Sequence, residues 1–414
     1  MSTGSTALVV VAFARSAEAH GSLVPPASNR NAADRFGPAF ASGKSPLNVS
    51  CNCEPGAAAT GCEEGLRAPG GGQACFWFSQ GCSIGCATCS GTDAHSNRSA
   101  CGRDDVEPTL PDAYRTMNLA APALSANDTY RYNPWRAPGL APVFDACGMA
   151  GGTVVADQGP GEAIYVATPL AAPGDLGSQA LFSSEEDDKV LDLMPPVWRP
   201  GSTVDVAWGI RFNHGGGYQY RLCPRAESFP PTEACFQRHP LDFVRGAQTI
   251  VWTSGPNAST RYVVGGTFVD EGTHPPGSTW AMNPIPRINF DSTSSGQPAG
   301  AQGCWPDPAT GGAEGPQCRQ FDPPCPQDDG WVADPTNGTD RSGQGACSGD
   351  FTDGIILDRV VVPADVPPGP AVLGWRWDCE ETSQVWSNCA DVLVTVAATS
   401  PSNAETATAS LSEA

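Results

Sequence analysis

The chain has 414 residues, with 44 Asp and Glu against 23 Lys and Arg, a formal charge of −21 at pH 7. So acidic a chain repels nucleic acid and anionic lipid, which excludes both as partners and leaves neutral or cationic polymers. Its 17 Cys suit an oxidising compartment rather than a reducing cytosol, and the odd number leaves one thiol free or paired with another molecule.

In chain order, the first pattern is the apolar run at 7–14, which leads into Ala17-Glu18-Ala19, a small-x-small cleavage signal, with His20-Gly21 directly after it. Residues 1–19 therefore read as a signal peptide, although the segment before the run has no Lys or Arg and Arg15 lies beyond it. The run is far short of the ~20 apolar residues that span a bilayer, nothing later replaces it, and no transmembrane helix is expected. Cleavage after Ala19 makes His20 the first mature residue. Its free amino nitrogen and its imidazole then form one small chelate for a cation, with one further ligand to be found. The plainer reading is an ordinary surface His exposed by processing.

Residues 51–101 hold eight Cys and little apolar content beyond Phe76-Trp77-Phe78, so they read as a Cys-rich insertion. The spacing Cys82-x3-Cys86-x2-Cys89 is compatible with zinc, but export favours disulfide staples. N-x-Ser/Thr glycosylation signals stand at Asn48, Asn97, Asn127, Asn257 and Asn337. Short alternating segments rich in β-branched and aromatic residues lie at 204–208, 261–264, 267–269, 355–362, 371–377 and 392–396. With 47 Gly and 40 Pro and no amphipathic helix, the chain is expected to be all-β. An antiparallel β-sandwich over 20–396 fits best, with a second, Pro/Gly-rich insertion at 270–350 and a disordered Ser/Thr/Ala-rich tail at 397–414.

Among the remaining His, His95, His239 and His274 sit in polar or Pro-flanked segments and read as solvated. His214 differs. It follows Trp208-Gly209-Ile210-Arg211-Phe212 and opens His214-Gly215-Gly216-Gly217-Tyr218-Gln219-Tyr220. Three Gly at a strand-to-strand turn leave its ring uncrowded, although a turn His chosen for polarity is the plainer reading.

Several separated blocks resemble the lytic polysaccharide monooxygenases of the chitin-binding type-4 group. His20-Gly21 with Pro25-Pro26 and Arg30-Asn31 is similar to that family's mature N-terminus. Residues 142–152, residues 213–224 and the closing block Gln384-Val385-Trp386-Ser387-Asn388-Cys389-Ala390-Asp391-Val392 resemble internal family blocks in the expected order. The resemblance implies an immunoglobulin-like sandwich and a single copper ion. Its ligands would be the amino and ring nitrogens of His20 and one ring nitrogen of His214, a donor set that suits copper. It implies that Gln384 hydrogen-bonds beside the metal's ligands and that Trp386 takes the axial position, where the family usually has Tyr or Phe. Indole is no phenol ligand, so only an apolar axial wall is expected there.

The activity implied is C–H hydroxylation of an insoluble, chitin- or cellulose-like polysaccharide with O2 or H2O2 and an external electron donor. No Asp/Glu pair then needs assignment as a glycosidase acid and base. Trp77, Tyr218 and Tyr220 are candidate sugar-stacking residues. The protein is expected to be secreted and monomeric. The alternative is a non-oxidative carbohydrate-binding or copper-binding protein on the same scaffold.

Overall fold

Alternation dictates the strands. In β6 (Thr203–Phe212) the buried Val206 and Trp208 share one face, while Thr203 and Asp205 are exposed on the other. In β13 (Gly354–Val361) Ile356, Asp358 and Val360 are buried and Arg359 is exposed. The computed structural model describes residues 20–23, 78–80, 84, 133–143, 145–148, 152–154, 163–165, 177–180, 195–212, 215–252, 261–284, 354–380 and 384–396. The signal peptide, the tail, nearly all of the Cys-rich insertion and residues 285–350 of the second insertion lie outside them.

One sheet has the order β1 (His20–Leu23), β6, β13, β9 (Thr249–Trp252), β10 (Arg261–Val263), with β8 (Asp242–Phe243) also on β13. The other runs β11 (Phe268–Val269), β12 (Trp280–Met282), β7 (Gly217–Pro224), β14 (Gly369–Asp378), β15 (Gln384–Val394), β2 (Phe78–Gln80). A separate pair is formed by β3 (Gly152–Val154) and β4 (Ala163–Tyr165). The helices among the described residues are single turns, including α1 (Gly177–Ala180) and α2 (Glu233–Phe236). In α2, Thr232 caps the start by accepting from the Cys235 amide. The all-β class expected from the sequence therefore holds. One pairing departs from the antiparallel expectation: β5 (Val197–Trp198) runs parallel to the end of β15.

The two sheets pack face to face on one core. Leu23, Val206, Trp208, Ile250, Ile356 and Val360 come from the first, and Tyr218, Tyr220, Leu222, Leu373, Trp375, Trp377, Trp386 and Val392 from the second. Trp208 joins them, with its ring 4.7 Å from Tyr218, 5.1 Å from Trp375 and 5.2 Å from Trp377. Each such ring removes about 200 Å² from water, on the order of 5 kcal/mol as an upper figure, so this aromatic cluster outweighs any single hydrogen bond of about 1 kcal/mol.

The outer face of the second sheet is covered as well. Cys147, Cys223, Cys235, Phe236, Val372 and Cys389 form a smaller buried cluster there. Disulfides Cys147–Cys389 and Cys223–Cys235 hold it together. The first joins two of the family-like blocks, at a sequence separation of 242. Among the described residues no helix is long and apolar enough to cross a membrane.

Candidate functional site

Of the two candidate ligands, only the backbone of His20 lies among the described residues. β1 pairs antiparallel with β6, with His20 opposite Phe212 and an irregularity between His20 and Gly21. His214 is outside the described residues, as is the His20 side chain.

The turn after His214 is held from below by the end of β14. Gly215 and Gly216 have φ of +62° and +78°, the left-handed region that side chains rarely adopt. Trp377 donates its indole N–H to the Gly215 carbonyl at 2.9 Å, inside the core. The Asn283 amide donates to the Gly216 carbonyl at 2.9 Å. A Cβ on Gly216 would stand 2.1 Å from the Asp378 carbonyl oxygen, and one on Gly215 would stand 2.7 Å from Glu380 Oε2. Glu380 is itself buried, and its carbonyl accepts from Asn133 Nδ2 at 2.8 Å. A buried carboxyl group thus sits against Gly215.

The start of β15 reaches the same end. Gln384 is its first residue, opposite Gln80 of β2, and its side chain lies outside what is described. Trp386 stands opposite Trp377 on one side and Phe78 on the other, and is 2% exposed in the shared core. The Leu23 amide donates to Asn388 Oδ1 at 2.8 Å, which ties β1, three residues after His20, to β15 of the facing sheet.

Beneath this end lies a buried ionic cluster. Arg376 donates from Nε to Asp378 Oδ1 at 2.6 Å and from Nη1 to Glu233 Oε1 at 2.9 Å. Arg221 pairs with the same Glu233 oxygen at 2.5 Å. Burial acts to lower the Arg376 pKa, but Asp378 and Glu233 outweigh it and hold the guanidinium above its ordinary range. For Arg221 burial prevails over Glu233, and its pKa falls. Burial likewise pushes Glu233 up, yet the two guanidiniums hold it below its usual range. Asp378 Oδ2 also accepts from the Gly139 amide at 2.7 Å, so the cluster fastens a separate loop to the site end.

Two expected sugar-stacking residues need correction. Tyr218 and Tyr220 are fully buried, because even-numbered residues of β7 face the core. Both hydroxyls donate to Asp358 Oδ2, at 2.8 and 3.1 Å, and Gln248 Nε2 donates to the Tyr218 oxygen at 2.6 Å. Neither ring is available to a polysaccharide. Trp77, the third candidate, and His95 lie outside the described residues, as do Cys82, Cys86 and Cys89. His239 and His274 are half-buried rather than solvated; His239 Nε2 lies 2.7 Å from Glu227. The His239 carbonyl accepts from Leu222, five residues along β7 from Gly217 and so roughly 17 Å from the His214 turn.

Sequence reasoning did not single out Trp377, Glu380, Asn283 or Asn388. A signal did exist in the charged residues inside the apolar run Trp375-Arg376-Trp377-Asp378-Cys379-Glu380. Among the described residues no group of three or more His, Cys, Asp or Glu is arranged to hold a metal ion.

No protein-family model matches the chain, and no curated protein matches it. Among solved structures the chain is similar to a chitin binding domain from Burkholderia pseudomallei, at 12% identity over 50% of this chain. The match spans 60% of that domain with a TM-score of 0.21, too low to bear on fold or function.

Proposed function

We propose that this protein is a secreted copper-dependent polysaccharide monooxygenase, with copper held by the amino and ring nitrogens of His20 and a ring nitrogen of His214. The observation that supports the reading best is the register of β1 on β6, with His20 opposite Phe212, two residues before His214 in the sequence. The donor chemistry fits the metal: copper heads the stability order for nitrogen ligands and accepts tetragonal sites. Bound there, it would supply the one-electron chemistry with O2 or H2O2 that C–H hydroxylation of an insoluble glycan requires, drawing on an external electron donor.

The protein's own residues supply the frame. His20 chelates only if its amino group is free, so removal of residues 1–19 is part of the activity. Trp386, opposite Trp377 in the core, adds an apolar wall beside the start of β15 and offers no phenol oxygen. Gln384, first in β15, is the candidate hydrogen-bonding neighbour of the metal site.

The test compares residues 20–414 with the same chain extended by one Gly before His20. Copper affinity and release of aldonic or 4-keto sugars from insoluble chitin and cellulose are measured with and without reductant. The expected result is tight one-to-one copper binding and reductant-dependent products only with the free terminus. Equal affinity in both forms overturns the ligand assignment. Copper binding without oxidised product on any glycan leaves a non-oxidative binding protein instead.

A further inference from the structure

The cover over the outer face of the second sheet ends along one line. Val372 of β14 and its cross-strand partners Cys223 and Asp391 are buried, the first two packed with Phe236 of α2. Two residues away on β14 the face is open. Pro370 stands opposite Leu393 of β15, and Leu393 opposite Val197 of β5. Their chain neighbours Ala371, Val392 and Trp198 face the core, so these three side chains point outward. Pro370 is exposed, Leu393 is 36% exposed and Val197 59%. On the other side the Arg225 amide donates to the Pro370 carbonyl at 3.0 Å, and the Arg225 guanidinium lies 4.0 Å from the centre of the Phe229 ring. Phe229 is 43% exposed, and every other aromatic side chain among the described residues is buried or half-buried. Its loop is braced by the Cys223–Cys235 disulfide, by the Ser228 hydroxyl on the Pro230 carbonyl at 2.9 Å, and by Arg238 Nε on Glu227 Oε2 at 2.9 Å. Single exposed apolar residues are ordinary, but these form a row in register across neighbouring strands, about 14 Å wide, with a braced aromatic ring at its end.

We propose that the strip formed by Phe229, Arg225, Pro370, Leu393 and Val197 is a contact surface for a neutral insoluble polysaccharide, separate from the His20 end of the fold. A pyranose ring has an apolar C–H face edged by hydroxyls. A flat apolar row takes that face, Phe229 stacks on it, and the exposed Glu227 and Arg238 beside the loop take hydroxyls. Charge selects the occupant. The strip itself carries one charge, that of Arg225, and it lies against the Phe229 ring. A neutral polymer meets no repulsion from a chain of −21, whereas a second copy brings the same −21 to the contact. The choice of a glycan rests on the polysaccharide reading above; the strip's place in the fold does not. Val197 precedes Thr203, where β6 starts, and His20 stands opposite Phe212, where β6 ends, so its 10 residues set the two contacts roughly 30 Å apart. The strip therefore holds the protein to its substrate through a surface that takes no part in the chemistry.

The experiment measures binding isotherms of the metal-free mature chain on insoluble chitin and on cellulose, with no reductant, for wild type, Phe229→Ala, Phe229→Tyr, Leu393→Asp and, on the outer face of the first sheet, Arg359→Ala. Calorimetry checks that each variant is folded, and sedimentation velocity follows self-association. Phe229→Ala and Leu393→Asp should each weaken binding to at least one of the two polymers by roughly three- to tenfold, while Phe229→Tyr and Arg359→Ala stay at wild type. Wild-type affinity in both Phe229→Ala and Leu393→Asp overturns the proposal, as does a wild-type chain that binds neither polymer. Self-association of wild type that Leu393→Asp abolishes, with glycan binding unchanged, makes the strip a contact between copies instead. The oxidative reading fails separately: wild type with copper and reductant that releases no oxidised sugar ends it, and the metal-free isotherms still decide the strip.

Discussion

Asp358 is a carboxyl group in the middle of the sandwich with no cation against it among the described residues, and replacing it by Asn should change how stability depends on pH. Burial raises its pKa from 3.8 to about 7, although hydrogen bonds from Tyr218, Gln248 and Tyr220 partly oppose the rise. In the unfolded chain the same carboxyl titrates near 3.8, so between that pH and about 7 the folded state holds a proton that the unfolded state has lost. Stability from this group is then fully present below about 4 and is lost as pH rises through about 7. The interval corresponds to roughly 4 kcal/mol at about 1.4 kcal/mol per tenfold change, and relaxation around a buried charge brings the expected span to about 2–4 kcal/mol.

Asp358→Asn keeps an oxygen for the two tyrosine hydroxyls and removes the titration. Its amide would face Gln248 Nε2, which now lies 3.3 Å from Asp358 Oδ1, so Gln248 must turn its own amide over. A fixed cost of about 1 kcal/mol, independent of pH, is expected for that rearrangement. The assay is denaturant unfolding followed by tryptophan fluorescence from pH 4 to 8, comparing midpoints at constant slope. Asp145, raised to about 6 chiefly by burial against bonds from Ser178 and Cys147, contributes with the same sign in both proteins and cancels in the difference. Wild type should lose stability relative to Asp358→Asn as pH rises. Parallel curves across the range would refute the placement of an isolated carboxyl in the core.

Tyr220→Phe should lower stability by about 1–2 kcal/mol, through the lost bond to Asp358, and leave binding to insoluble chitin or cellulose unchanged in a pull-down. Replacing Cys147 and Cys389 together with Ala should cost up to about 5 kcal/mol, given a closed loop of 242 residues, read as a drop in the denaturant midpoint. Gly216→Ala places a Cβ against the Asp378 carbonyl at positive φ, and at least about 2 kcal/mol of destabilisation is expected by calorimetry. His239→Ala breaks a half-exposed contact to Glu227 and should change stability by less than about 1 kcal/mol, with copper binding equal to wild type by titration.

The strands that have one wet face were legible in the chain itself. β6 and β13 alternate apolar and polar residues because one side meets the core and the other meets water, and the runs at 204–208 and 355–362 mark them closely. β15 was visible only at its last residues, since Val385 to Asp391 are covered on both sides and hydropathy there has no period to read. β7 shows the limit most clearly. Tyr218-Gln219-Tyr220-Arg221-Leu222 states that two faces exist but not what each meets. Only the opposing sheet, with Trp208 and Asp358, turns the tyrosines inward. The facing residue Arg221 is buried too, because Glu233 of α2 and Phe236 lie over it, which no local pattern signals. The candidate ligands follow the same division. His20 at a cleavage site and His214 before three glycines are local features, readable one at a time. The place of His20 opposite Phe212, and the bond from Trp377 to the Gly215 carbonyl, depend on the antiparallel register of β1 on β6 and of β7 on β14. Register is settled by which faces must be buried together across the whole sandwich, and that is a property of the packed sheets rather than of any segment.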